Sequence, residues 1–371
     1  MNDSFLFYLL LNNNTYKKGK REYTQILIHE ESRRCWRAIN NSRGKKSQNG
    51  ISAVTVKDND TWKQIDTKEE VEEAIMSNNS ARFHLTGDTP MMQPDTVEKI
   101  GYLADTSTAH SVMEGSFISD DAFDDTTNHF LQFISQRKKL PAIPACITTG
   151  EFGSYWNTAR EKTASSMSGR HFGHYKAAAK RTTLCKVHAT FASEASQHGI
   201  FIKRWTKGLT VMLEKIENVI RVDKLRAILL MEADFNFINK LVFGHKMVKQ
   251  CEQFSRFPEE LYGSRNNHSA VEVGVNRRLT LETLKQKRRN GAIAGVDAAQ
   301  CYDRIVHSLA ILLCRNEGAP ISSLLLMFGA IQSMEFFIRT TFGESTNSYG
   351  GIQTVPFQGS CQGNGASPAL W

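Results

Sequence analysis

Apolar residues along this chain fall into two spacings, one of period two and one near 3.6, and the two alternate in a mixed order. The run over 51–57 predicts a strand, and the spacing over 30–39 and 68–76 predicts helices. The rest of the first 149 residues is less regular, with Asn-rich turns at 12–14 and an acidic patch at Asp120, Asp121, Asp124 and Asp125. A Pro-containing stretch at 140–144 marks a boundary. From Gly150 onward the pattern sharpens. It predicts helices over 204–217, 232–250 and 279–289, a strand over 292–297, and helices over 302–315 and 320–334. Segments 336–342 and 350–357 flank a polar turn and predict a hairpin, which runs into a Gly-rich turn. The order is that of an α+β chain with a mixed, poorly regular N-terminal region (1–149) and a sharper second region (150–371).

Composition narrows the class. The chain has 371 residues, 40% of them hydrophobic and 23% charged, as in ordinary globular proteins. No apolar stretch has the length of a membrane span, and the short run FLFYLLL lacks the basic flank and cleavage site of a signal peptide. Seven scattered cysteines without a CxxC pair argue against a disulfide framework or a zinc site and point to a reducing, intracellular compartment. The net charge is +8, and most of the excess lies between Glu151 and Lys249. A basic middle third fits a polyanionic partner such as nucleic acid, and it also fits a solvated surface.

Three places carry candidate chemistry. Asp297 closes the run Ala292, Ile293, Ala294, Gly295, Val296, which reads as a buried strand. A carboxylate is costly to desolvate there unless something pairs with it, and a strand tip facing a cleft suits a hard divalent cation. Tyr302 follows on the next turn, and Asp303 reads as a helix-opening cap. Lys224 and Arg226 alternate with apolar neighbours, so on a strand they share one face; this suits a triphosphate and equally a solvated edge strand. The stretch GSCQGNGASPALW has glycines that permit close backbone approach, and Ser367-Pro368 reads as a helix entry.

Taken in order along the chain, these places resemble a reverse transcriptase of the non-LTR retrotransposon type. VDAAQCYDRI is similar to the first palm motif, QGNGASPALW to the template-grip motif, and VDKLRAILLMEADFN to the fingers strand with its following helix. SSMSGRHFGHYKA resembles the segment upstream of the fingers. The resemblance covers about 150–371, and the first 149 residues resemble the linker before such domains through CWRAINNSRGKKSQNGIS. It implies a partial right-hand polymerase, fingers and incomplete palm, copying an RNA template from a DNA primer with dNTPs and two Mg²⁺ ions. Asp297 matches the catalytic, metal-binding aspartate, with the Ala298 carbonyl as a backbone ligand. Tyr302 matches the aromatic position beside the incoming sugar, Lys224 and Arg226 the triphosphate-binding pair, and Gln362 and Gly363 the nucleotide- and template-positioning loop. His171 and His174 have no neighbouring Cys or carboxylate, and they read as structural or RNA-contacting residues rather than zinc ligands.

One departure stands against these matches. The family's aromatic-x-Asp-Asp hairpin is absent from this sequence; Phe123-Asp124-Asp125 lies far upstream without a hairpin context. The expectation is therefore a truncated polymerase, inactive as this chain, with a non-catalytic RNA- or DNA-binding protein of the same descent as the alternative. A nuclear location would follow from either function rather than from a signal.

Overall fold

The computed structural model describes residues 50–371, apart from 60, 162–165, 217, 264, 266 and 267. The expected helix at 30–39 and the Asn-rich turns lie outside the described residues. The protein is α+β. A hairpin of β1 (Val54–Asp58) and β2 (Thr61–Ile65) leads into α1 (Lys68–Phe83). Helices α2 (Pro94–Ile100), α3 (Ser107–Glu114), α4 (Asp125–Gln136), α5 (Thr149–Thr158), α6 (Phe172–Ala179) and α7 (Thr182–His198) follow. Then come β3 (Lys207–Glu214), β4 (Leu225–Leu230) and α8 (Ala233–Asn239), which continues through a π-helical stretch (Lys240–Met247) into α9 (Val248–Gln253). The remainder is α10 (Ala270–Gln286), α11 (His307–Asn316), α12 (Ile321–Gln332), β5 (Glu335–Thr340), the short strands β6 (Gly343–Glu344) and β7 (Tyr349–Gly350), and α13 (Ser367–Leu370).

The main sheet has the order β4-β3-β5-β6, with β7 also pairing β5. β3 is its centre, antiparallel to β4 and parallel to β5, so Leu209 sits opposite both Leu230 and Phe337. One large core takes residues from both sides of the expected boundary at 149/150: Ile100 and Leu131 share it with Phe152, Trp156, Phe237 and Phe328. A smaller core under α1 joins Val54 and Ile75 to Met212 and Ile338. The Thr341 amide donates to the Ile51 carbonyl (3.1 Å), which ties the N-terminal hairpin region to β5.

Several expectations hold in outline. The strand over 51–57, the helix over 68–76, the long helix over 232–250 and the helix over 320–334 appear as β1, α1, α8 to α9, and α12. Others are corrected. Residues 204–217 form a 3₁₀ turn (Lys203–Thr206) and then β3, not a helix. Two ladders, one on each edge of β3, outweigh local helix preference. Gly208 makes the close packing possible, since a Cβ there would stand 2.6 Å from Leu229 Cδ1 and 2.7 Å from Met334 Sδ. The second hairpin arm shrinks to β7. The helix expected over 302–315 begins only at His307, behind a 3₁₀ turn (Cys301–Arg304).

The largest correction concerns 292–297, which is not a strand. None of the described strands pairs with it, and its apolar residues stay in solvent, Val296 at 97% exposure. An apolar run becomes a strand only beside a partner that takes up its N–H and C=O groups, and none flanks it here. α10, which precedes it, is exposed along almost its whole length as well.

One buried ionic cluster sets the start of α8. Arg204 Nη1 donates to Glu232 Oε2 (2.7 Å) and Asp234 Oδ1 (2.8 Å), and its Nη2 donates to Asp234 Oδ2. Trp205 Nε1 adds a bond to Asp234 Oδ1 (3.0 Å). Ser166 Oγ and Ser168 Oγ donate to Glu232 (2.5 and 2.8 Å). Burial alone would raise the Asp234 carboxyl, yet the Arg204 guanidinium holds it below the usual carboxylate range. Removing the cation would leave two buried carboxylates opposed to each other. Arg204→Ala is expected to cost about 3–5 kcal/mol of unfolding free energy. Urea unfolding of the variant checks this; a loss under about 1 kcal/mol would show that the cluster does not hold the fold.

Candidate functional site

The segment 356–361 is buried throughout, and it is held from three directions. From below, the Gly359 amide donates to the Ile305 carbonyl and the Ser360 amide to the Tyr302 carbonyl (both 2.8 Å). Gly359 has φ 90°, and a Cβ there would lie 2.9 Å from Asp303 Cα, so only glycine lets the two backbones approach this closely. His307 reinforces the contact. Its amide donates to Gln358 Oε1 (2.8 Å), its Nε2 lies 2.8 Å from the Gly359 carbonyl, and Gln332 Nε2 lies 3.0 Å from its Nδ1. Those partners fit a neutral ring with the proton on Nε2. Burial pushes the imidazole down to about 4, in keeping with that form.

From the sheet side, the Leu229 amide of β4 donates to the Gln362 carbonyl (2.7 Å). Gly363 follows with φ 122°, where a Cβ would lie 2.1 Å from the Leu229 carbonyl oxygen. From α8, the Asn236 amide brackets the turn: its Nδ2 donates to the Gly363 carbonyl (2.9 Å) and its Oδ1 accepts from the Gly365 amide (2.6 Å). One turn on, Asn239 Nδ2 donates to Asn364 Oδ1 (3.3 Å). The π-helical stretch brings Gly244 against this loop, a Cβ at 244 falling 2.9 Å from the Gly365 carbonyl.

Asp303 projects into the space enclosed by these elements. It is 6% exposed and lines a cavity of ≈ 10 Å³ with Arg82, Tyr349 and Gln362, the room of about one water molecule. Burial pushes its carboxyl up to about 6, although nearby Arg82 works against the shift. Arg82 comes from the last turn of α1, where its Nη2 donates to the Leu225 carbonyl (2.9 Å) and burial lowers its own proton affinity. Phe83 beside it stacks on Phe336 and Phe357, with ring centroids 5.1 Å apart in each case.

The sequence-predicted residues divide accordingly. Tyr302, Gln362 and Gly363 meet at this loop. Lys224 and Arg226 are exposed, while their neighbours Leu225 and Leu229 turn inward toward the core. The two cations are therefore on the other face of β4 from the cavity, and Lys224 sits in the 3₁₀ turn before the strand. Asp297 and Ala298 lie in the exposed, unpaired segment, so the buried strand end expected for Asp297 is corrected. Among the described residues no group of three or more His, Cys, Asp or Glu converges in a way that could hold a metal ion. Asp297 and Ala298 as arranged do not fit a two-Mg²⁺ centre, and no step is derived through one.

Asp303 is not the helix cap expected, because α11 starts four residues later with Val306 at its N-cap. Arg82 and Asn236 gave no signal of their own; their roles depend on partners more than a hundred residues away in sequence. Asp124, by contrast, is explained locally. Its Oδ1 caps α4 by accepting from the Thr126 and Thr127 amides (2.9 and 3.1 Å). His171 and His174 also serve a helix end, His171 Nδ1 accepting from the Gly173 amide (3.0 Å) and His174 Nδ1 from the His171 amide (2.9 Å). No family model matches this chain, and no curated protein shows significant similarity to it.

The raised Asp303 carboxyl has a consequence for stability. Its folded value of about 6 exceeds the ordinary 3.8, so the native state holds a proton that the unfolded chain releases. Stability from this group is greatest below about pH 4 and falls as pH rises toward 6, by about 3 kcal/mol in all. Asp303→Asn should therefore gain on the wild type between pH 4 and pH 7. Parallel unfolding curves at both pH values check it, and a gap that stays constant with pH would contradict it.

Proposed function

We propose that this chain is the fingers and the beginning of the palm of a reverse transcriptase, an RNA-directed DNA polymerase whose substrates are dNTPs and an RNA template with a DNA primer. One observation supports the reading above others. Segments near 229, 302 and 362, far apart in sequence, meet through the backbone bonds Leu229–Gln362 and Tyr302–Ser360. The three motif resemblances thus describe neighbouring surfaces. In this reading Tyr302 stands beside the incoming sugar and disfavours a 2′ hydroxyl. Gln362 and Gly363 position the nucleotide against its template base. Lys224 and Arg226, exposed on the outer face of β4, meet phosphate groups arriving from solvent. Asp297 would act as the catalytic carboxylate only once its segment acquires a strand partner.

The placement of Asp297 favours a second reading, a non-catalytic RNA- or DNA-binding protein with the same framework. The two readings differ toward nucleotides. Fluorescence anisotropy on a labelled RNA–DNA primer-template, in buffer with Mg²⁺, separates them. The polymerase reading expects binding that weakens linearly in log salt and tightens about tenfold with the next complementary dNTP alone. Gln362→Ala should remove the tightening while sparing the salt-dependent binding. Salt-sensitive binding indifferent to every dNTP would leave the second reading, and no binding at low salt would sink both.

A further inference from the structure

On the far side of α1 from the core lies an open groove of ≈ 500 Å³, walled by α1 and by the turn that carries Asn347 and Ser348. Three carboxylates line it, Glu69, Glu72 and Glu73, against one lysine, Lys68. Glu72 differs from its neighbours. It is 7% exposed, and its Oε1 is buried without a hydrogen-bond partner. A buried carboxylate oxygen left in this state costs free energy that a donor entering the groove would recover. Acidic residues on a helix are commonly just a solvated face, but a solvated face does not bury one member with an unmet acceptor.

The chemistry of the missing donor follows from the lining. No group of three or more metal-binding side chains converges among the described residues, so the carboxylates are spread along the helix rather than gathered on a point. Glu69 and Glu73 are four residues apart, a rise of about 6 Å along the axis. That separation matches successive amines of a four-carbon-spaced chain. A primary ammonium has three donors, which Glu72 Oε1 and oxygens of Ser77 and Asn347 can share. We propose that this groove is a binding site for a linear polyamine, with one ammonium on Glu72 and the next on Glu69 or Glu73. The proposal does not rest on the polymerase reading, since it uses neither the loop at 356–366 nor the basic surface.

Isothermal titration of spermidine into the full chain tests it, at fixed ionic strength and without nucleic acid. The expected result is one saturable site, weakened about tenfold or more by Glu72→Gln. Ser77→Arg, at an exposed position, places a guanidinium in the groove and should abolish binding even if the Glu72 variant fails to fold. Thermal unfolding of both variants reports on folding. Absence of a saturable site overturns the proposal. So does equal affinity in wild type and Ser77→Arg, or displacement of spermidine by MgCl₂ at matched charge, which would mean diffuse attraction to an acidic face.

Discussion

The fork of Arg204 on Glu232 and Asp234 is the contact on which the rest of the arrangement depends. It lies at the join between β4 and α8, and it also receives Ser166 and Ser168 from the segment ahead of α6. A buried cluster of this kind need not add net stability, because desolvation opposes the Coulomb gain. What it supplies is direction. With three charges committed to one geometry, α8 can leave the sheet at one angle only, and Asn236 and Asn239 then face the loop at 358–366.

From that point the loop is determined by close backbone contacts rather than by side-chain volume. Gly359 and Gly363 are each pressed against another backbone, one at Asp303 and the other at Leu229. Asn236 holds the far side through both ends of its amide. The outcome is a rigid shelf with a buried acid and a buried base beneath it, Asp303 and Arg82, around the space of a single water. Low-polarity surroundings keep both groups away from their ordinary proton affinities. Such a shelf can present Gln362 and Tyr302 to a planar ligand without losing conformational freedom on binding.

How much of this could be read from the residues varied with the range of the forces involved. The Gly-rich loop and the helix entry at Ser367-Pro368 were legible because glycine and proline act on their own backbones. Helices α1 and α12 were legible because one apolar face is enough to define them. β3 was misread as a helix because its identity comes from two ladders. Asp303 was misread as a cap because its neighbours in the sequence are polar, whereas its neighbours in space are Arg82, Leu229 and Tyr349. Asp297 was read as buried from an apolar run that has no strand beside it.

The sequence by itself determined an α+β chain with a basic middle third, a Gly-rich turn near 360 and a set of motifs in a fixed order. Those properties depend on local sterics and on charge, which each residue carries wherever it lies. Only the tertiary structure decided which of the candidate residues meet. It joined Tyr302 to Gln362, turned Arg226 to the opposite face of β4, left Asp297 in solvent, and gave Glu72 a buried oxygen without a donor. Burial and hydrogen-bond partnership are properties of packed elements, and they exist only once residues remote in the chain have been brought into contact.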